Sequence, residues 1–342
     1  MNDRMPGLRS LGPKSALALA LGSTLALAAC GASAGTTNTT GANASLTACR
    51  VTAADIKPAG GGLATATQTA GISGQSLVID GSTALAPLFQ DAEKAFDSAN
   101  GTHTSITPNG SGTGLKDVEA GAVQIGLSDV FAAEKAPTGS PHAYDDLVDH
   151  QVAVVPFTLA VSPDIAAKVQ NLTSAQIVQI YTGQVTNWSQ LGGPNEAITV
   201  VNRPTSSGTR ATFMKYVLGG QSENAPNAQT AATSAQVAQA VAGGQGAIGY
   251  DTAGFVANTT GLSPICIDGK GANAANINAG TYKFWALEHA YTKGQPTPAA
   301  AAMLAFVSGS DFQSQDLPAN GFLGVGSLSA AAKATHPAPA GS

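Results

Sequence analysis

Apolar residues along the chain recur with two periods, one typical of strands and one typical of helices. The short apolar run 76–80 predicts a strand. After it, apolar residues spaced three and four apart from Leu85 to Phe96 predict a helix that ends before Gly101. The same alternation predicts further strands at 104–107, 123–127, 152–161, 198–202 and 246–250, and further helices at 114–120, 173–181, 209–217, 234–242 and 298–307. Such alternation indicates an α/β protein with mostly parallel sheets.

Three turns rich in glycine, serine and threonine lie between a predicted strand and the helix that follows it. They are residues 81–83, 110–114 and 207–209. A helix N-terminus offers free N–H groups and the positive end of the helix dipole, glycine lets a ligand approach the backbone, and a hydroxyl adds a donor. Ordinary N-capping explains any one of these turns by itself. Taken together with an aspartate and an arginine at strand ends, the three turns predict a site for a tetrahedral oxyanion.

The N-terminal residues have the pattern of a secretory signal. Arg4, Arg9 and Lys14 precede an apolar stretch at 16–28, which is shorter than the roughly 20 residues of an ordinary membrane span. The stretch ends in Leu-Ala-Ala-Cys at Cys30, which resembles a bacterial lipobox and implies cleavage after residue 29 with lipid attachment to Cys30. A plain signal peptide with an incidental cysteine is the alternative.

Composition and charge narrow the choice of partners and cofactors. The 342-residue chain has a net charge of −5 and no run of lysine or arginine, which argues against a nucleic-acid partner. The five histidines show no metal-ligand spacing, so we expect neither a metal nor another cofactor. Residues 30–74, rich in small and polar residues, are predicted to be a flexible linker, and residues 331–342 are predicted to be a tail. Cys49 and Cys266 are expected to form a disulfide in an oxidising compartment, with two buried free thiols as the alternative.

Five short motifs occur in the order found in the phosphate-specific substrate-binding proteins of ABC transporters. They read GSTALAPL from Gly81, GSGTGL from Gly110, IGLSD from Ile125, Arg203 followed by SGT from Ser207, and GAIGY from Gly246. Over about residues 76–330 the chain therefore resembles that family. The resemblance implies the α/β fold of type II periplasmic binding proteins (PBP), in which two lobes are joined by two hinge-crossing strands. We expect lobe 1 at 75–155 and 252–330, and lobe 2 at 156–251.

The resemblance also implies which residues bind the ligand. The positions that match the family's phosphate-binding residues are Thr83, Ser111, Asp129, Arg203, Ser207, Gly208 and Thr209. Asp129 would accept a hydrogen bond from the proton that phosphate keeps at neutral pH and that sulfate lacks. Arg203 would offer a bidentate fork to two oxygens. The ordinary alternatives are a turn-capping Asp129 and a surface ion pair for Arg203, and Arg210 is either a second cation or a solvated helix residue.

The function implied by the resemblance is binding and delivery rather than catalysis. We expect a lipid-anchored protein that binds inorganic phosphate outside the cytoplasmic membrane and passes it to the permease subunits of an ABC importer. A phosphate-ester hydrolase at the same pocket is one alternative, but the sequence shows neither a nucleophile with a base nor a metal site. A surface or sensory protein that keeps the scaffold without transport is the other.

Overall fold

The computed structural model describes residues 63–339, in which ten strands and eleven α-helices alternate along the chain. The strands are β1 (Ser76–Gly81), β2 (His103–Pro108), β3 (Ile125–Ser128), β4 (Leu147–Val161), β5 (Asn171–Leu172), β6 (Thr199–Asn202), β7 (Gln229–Thr230), β8 (Ala247–Thr252), β9 (Ser263–Ile267) and β10 (Trp285–Lys293). The helices are α1 (Ala86–Asn100), α2 (Ser111–Glu119), α3 (Pro163–Ala166), α4 (Ser174–Tyr181), α5 (Gly208–Tyr216), α6 (Ser234–Gly243), α7 (Ala253–Asn258), α8 (Ala274–Asn278), α9 (Pro298–Val307), α10 (Ser310–Ala319) and α11 (Ala330–Thr335). The predicted alternation of strands and helices is confirmed.

The strands form one curled sheet whose direction changes in the middle. Its order is β2-β1-β3-β10-β4-β8-β6-β7, with β9 on β4 and β5 on β9. Both outer regions are parallel, as the strand–helix alternation predicts. The pairings of β4 and β10 with each other and with β3, β8 and β9 are antiparallel, which the strand–helix alternation does not predict.

The long strand β4 belongs to both parts of the sheet. Up to Pro156 it pairs with β10, and from Phe157 to Val161 it pairs with β8. Every residue from Val152 to Val161 is buried, which explains why this segment is an unbroken apolar run. Strand β9, expected in lobe 1, pairs with the end of β4, which we expected in lobe 2. The lobe boundaries stay a prediction.

Two helix ends follow the chemistry anticipated from the sequence. Helix α1 is followed by Gly101 in the left-handed conformation, with φ 65°, and its N–H bonds to the Asp97 carbonyl. Helix α4 begins with a capping box, because Thr173 accepts a hydrogen bond from the Gln176 N–H and the Gln176 side chain accepts one from the Thr173 N–H. Local sequence therefore fixes where these helices begin and end.

Short segments at both ends of the described region pack on the sheet and helices. The Ala64 N–H donates to Asp316 at 2.8 Å, and Ile72 is buried, so the last part of the predicted linker lies against the fold. At the other end, α11 continues into His336, whose ring centroid lies 3.7 Å from that of Tyr216 and 3.8 Å from that of Trp285. The first part of the predicted tail is thus a helix packed on the fold, because the His336 ring that follows it stacks between Tyr216 and Trp285.

Several expectations concern residues outside the described part. The signal segment 1–29, lipid attachment at Cys30, and most of the linker lie there. Cys266 is buried in β9, whereas Cys49 lies outside the described residues, so the disulfide between them stays a prediction. Within residues 63–339, no helix has both the length and the apolar character that a bilayer crossing requires.

The buried imidazole of His336 predicts a stability loss in acid. Burial lowers the pKa of His336 to about 3, whereas the unfolded chain binds this proton below its ordinary pKa of 6.5. Stability therefore falls as the pH drops below 6.5. From pH 7 to pH 5 we expect the free energy of unfolding to decrease by up to about 2 kcal/mol through this residue. Chemical denaturation at both pH values should show that His336→Phe, which keeps the aromatic stack, lacks this part of the decrease. An equal decrease in the two proteins would contradict the prediction.

Candidate functional site

Asp129 is a buried carboxylate to which three hydroxyl groups donate hydrogen bonds. It directly follows β3 and is 3% exposed. Ser82 and Ser111 donate to its Oδ1, the latter at 3.3 Å, and Thr209 donates to its Oδ2 at 2.8 Å. The three hydroxyls come from the three turns that the sequence analysis singled out. The three turns therefore converge on Asp129 and satisfy its buried oxygens with hydroxyl donors.

Arg203 directly follows β6 and is 1% exposed, so it is not the surface ion pair considered as an alternative. Its Nη2 donates to Thr83 Oγ1 at 2.6 Å and to the Ala232 carbonyl at 3.1 Å, and its Nε donates to the Ala231 carbonyl at 3.0 Å. Among the described residues, no acceptor reaches its buried Nη1. A buried guanidinium N–H without an acceptor is costly, and it would form a strong bond to an oxyanion.

The start of helix α5 lies directly against Asp129. Ser207 is its N-cap, since Ser207 Oγ accepts a hydrogen bond from the Arg210 N–H at 3.2 Å. At Gly208 a Cβ atom would lie 2.3 Å from Ser111 Oγ and 2.9 Å from Asp129 Cγ. Only glycine permits this approach, which brings the positive end of the helix dipole to the site.

Substituting Gly208 by alanine is expected to weaken anion binding at least about 10-fold, because the added methyl group would push α5 away from Ser111 and Asp129. Titration calorimetry with phosphate measures the effect. Gly243→Ala is the matched control, since a Cβ there meets no atom within 4 Å. Similar affinities for both variants would contradict a tight contact at Gly208.

The loop that leads into α5 is held by hydrogen bonds from two distant segments. Lys135, in the 3₁₀ helix Ala132–Lys135, donates through Nζ to the carbonyls of Thr205 at 2.9 Å and Ser207 at 3.1 Å. The Gly112 N–H donates to the Ser206 carbonyl at 2.9 Å. Burial lowers the pKa of Lys135. These bonds join the second and third turns into one site.

Arg210 acts on the backbone of Arg203. Its Nη1 donates to the Arg203 carbonyl at 2.8 Å, and its Nε forms an ion pair with Glu223 Oε2 at 2.5 Å. The Glu223 side chain is fully buried. Arg210 is therefore not the solvated helix residue considered from the sequence, and its described contacts hold the strand end from which the Arg203 side chain extends.

The structure brings together all seven residues expected at the site, although in different ways. Thr83 and Arg203 meet through their side chains, as do Ser111, Asp129 and Thr209. The Gly208 backbone lies against Ser111 and Asp129, and Ser207 takes part through its cap and its carbonyl. Helix α1 begins three residues after Thr83, so the first turn is not itself a helix start. That these residues bind phosphate stays a prediction.

Sequence reasoning missed four polar residues around this site. They are Ser82, Lys135, Asp251 and Glu288. Asp251, at the end of β8, accepts a hydrogen bond from Ser234 Oγ at 2.8 Å; burial raises its pKa and the charge of Arg203 lowers it. An acidic residue inside an apolar strand was the available signal for Glu288. Lys135 lies in a segment without periodicity, so no sequence pattern marked it.

Comparison with known proteins places the chain among binding proteins. Residues 63–310 match the model of the PBP superfamily domain. The chain is 41% identical over 251 residues to a phosphate-binding protein PstS of Bacillus subtilis (strain 168), covering 73% of this chain and 81% of that protein.

Solved structures support the same assignment. A putative phosphate ABC transporter substrate-binding protein with bound phosphate from Clostridium perfringens is similar with a TM-score of 0.65 and 28% identity, covering 73% of this chain and 99% of that chain. An ABC-type phosphate transport receptor from Vibrio cholerae has the same fold, with a TM-score of 0.56 and 24% identity over 73% of this chain and 99% of that chain. The expected two-lobed PBP fold is confirmed. The chain therefore belongs to the PBP superfamily and, within it, to the family of the PstS proteins.

Proposed function

We propose that this protein binds inorganic phosphate outside the cytoplasm and delivers it to the permease subunits of an ABC importer. The proposal rests on one observation, a buried site that combines an acceptor with a free donor. The acceptor is the Asp129 carboxylate, and the donor is Arg203 Nη1, which has no acceptor among the described residues. Phosphate at neutral pH has a proton to donate to the carboxylate and oxygens that accept from the guanidinium. Sulfate at neutral pH has oxygens that accept hydrogen bonds but no proton to donate.

The relatives support binding and transport over catalysis. The Bacillus relative is named for phosphate binding, and the Clostridium structure is described as holding phosphate. Neither is described as an enzyme, which disfavours a phosphate-ester hydrolase.

The proposed contacts to phosphate come from both expected lobes. Thr83, Ser111 and Asp129 would bind from lobe 1, and Arg203 with 207–209 would bind from lobe 2. Backbone N–H groups at the starts of α2 and α5 would complete the shell, since both helices present their positive ends to the site. The bonds from Lys135 and Gly112 to the loop before α5 would form as the lobes close.

We also propose that a lipid attached to Cys30 anchors the protein to the membrane and that the linker connects this anchor to the folded part. Cys30→Ser is expected to abolish incorporation of labelled fatty acid and to release the protein from membranes when it is expressed in a bacterial host. The unchanged chain in the same host is the control. Equal labelling of the two proteins would contradict anchoring at Cys30.

The proposed function is tested by titration calorimetry with phosphate, sulfate and molybdate on the chain from residue 30 onward. We expect tight phosphate binding, at micromolar or lower dissociation constants, and no measurable binding of the other two anions. A folded protein that does not bind phosphate would contradict the proposal and leave a scaffold with another role.

A further inference from the structure

Glu288 is a buried acid beside the proposed phosphate site. It lies in β10 and is 0% exposed. The antiparallel register pairs His289 with Ser128, so the next residue, Glu288, stands beside Asp129. Both side chains are buried, and the charge of Asp129 acts on Glu288. Two carboxyl groups this close in a buried site do not both ionise readily.

The surroundings of Glu288 offer its charge no compensation. Within residues 63–339, no N–H or O–H group donates a hydrogen bond to either of its side-chain oxygens. Burial first, and then the neighbouring charge of Asp129, raises the pKa of Glu288 well above its usual 4.5. A buried ionised carboxylate without donors is strongly disfavoured, so the surroundings of Glu288 favour its neutral carboxylic acid form.

Hydrogen-bond donors are distributed unequally around the two acids. Asp129 accepts hydrogen bonds from Ser82, Ser111 and Thr209. Glu288 receives none from the described residues. Because Glu288 lacks a donor and neighbours Asp129 in the register, the O–H of a protonated Glu288 has Asp129 as its acceptor.

We propose that Glu288 is a positioning residue of the phosphate site, a buried acid whose O–H donates a hydrogen bond to Asp129 and holds that side chain in the orientation that accepts the proton of phosphate. The inference rests on the proposed function, and it adds to it a second acid that determines specificity. Loss of this donor would leave the Asp129 side chain held by its three hydroxyl donors alone and less precisely oriented. An ionised Glu288 would add a second negative charge against the anion.

Other ionisable groups belong to the elements packed on β10. They are Asp129 after β3, Asp149 and His150 of β4, Arg210, Lys215 and Tyr216 of α5, Lys116, Asp117 and Glu119 of α2, His289, Tyr291 and Lys293 of β10 itself, and His336 against Trp285. Asp149 is engaged by His289 at 2.8 Å, Glu119 by Lys293 at 3.0 Å, and Lys215 by Glu134 at 3.3 Å. Asp129 is the charge that acts on Glu288.

Two variants of the full chain separate hydrogen-bond donation from packing. Glu288→Gln keeps the shape and an N–H donor but cannot ionise, so we expect phosphate affinity within about 3-fold of the unchanged protein. Glu288→Leu keeps the volume but has no donor. We expect its phosphate affinity to fall about 10- to 100-fold and its discrimination against sulfate to decrease. Thermal unfolding of each variant checks that it is folded.

A spectroscopic measurement tests the proton itself without phosphate. The infrared difference spectrum between the unchanged protein and Glu288→Gln at neutral pH should show the C=O band of a protonated carboxylic acid. Absence of that band, or equal losses of affinity in the glutamine and leucine variants, would overturn the role assigned to Glu288. If the unchanged protein binds no phosphate, the proposed function fails, whereas the band still reports on the proton of Glu288.

Discussion

Asp129→Asn is expected to lower the ratio of phosphate to sulfate affinity by at least about 100-fold. In the unchanged site, a fully ionised anion would face a buried carboxylate with no proton to share, and we expect that unpaired, repulsive contact to exclude sulfate. Asparagine presents an amide that can donate through Nδ2 to any oxyanion. The variant should therefore bind phosphate less tightly and accept sulfate.

Calorimetric titration of both anions gives the ratio directly. Asp145→Asn removes one negative charge at an exposed position and serves as the control for net charge. A folded Asp129→Asn protein that still excludes sulfate would show that another group sets the specificity.

Arg203→Met is expected to weaken phosphate binding at least about 1000-fold, which corresponds to roughly 4 kcal/mol. The substitution removes the buried cation and the Nη1 donor, and it leaves the neighbouring carboxylates Asp129 and Asp251 in a site that must accept an anion. Arg203→Lys keeps the charge but loses the planar fork that bonds Thr83 and two carbonyls. The phosphate affinity of Arg203→Lys should lie between those of the unchanged protein and Arg203→Met.

Lys168→Met is the matched control for this substitution, since it removes a positive charge at an exposed position. Thermal unfolding shows whether Arg203→Met has kept its fold. Phosphate affinity within 10-fold of the unchanged protein, in a folded variant, would place the anion elsewhere.

The sequence by itself determined the local elements and the chemistry of the turns. The apolar run 152–161 is a strand buried along its whole length, and helix α9 begins and ends where its pattern predicted. These agreements have one physical cause, because apolar periodicity, caps and glycine turns act over a few residues and depend little on distant partners. The order of the motifs indicated the family.

Only the tertiary structure decided which polar groups share a buried environment. Strand β10, missed from the sequence, brings Glu288 beside Asp129 and separates the two parallel regions of the sheet. Lys135 reaches the loop before α5 across 70 and 72 residues, and His336 enters a slot formed by Tyr216 and Trp285. Such contacts depend on how distant strands pair and on which charges burial leaves uncompensated. No local pattern records that information, so the supporting residues of the site became visible only in the folded chain.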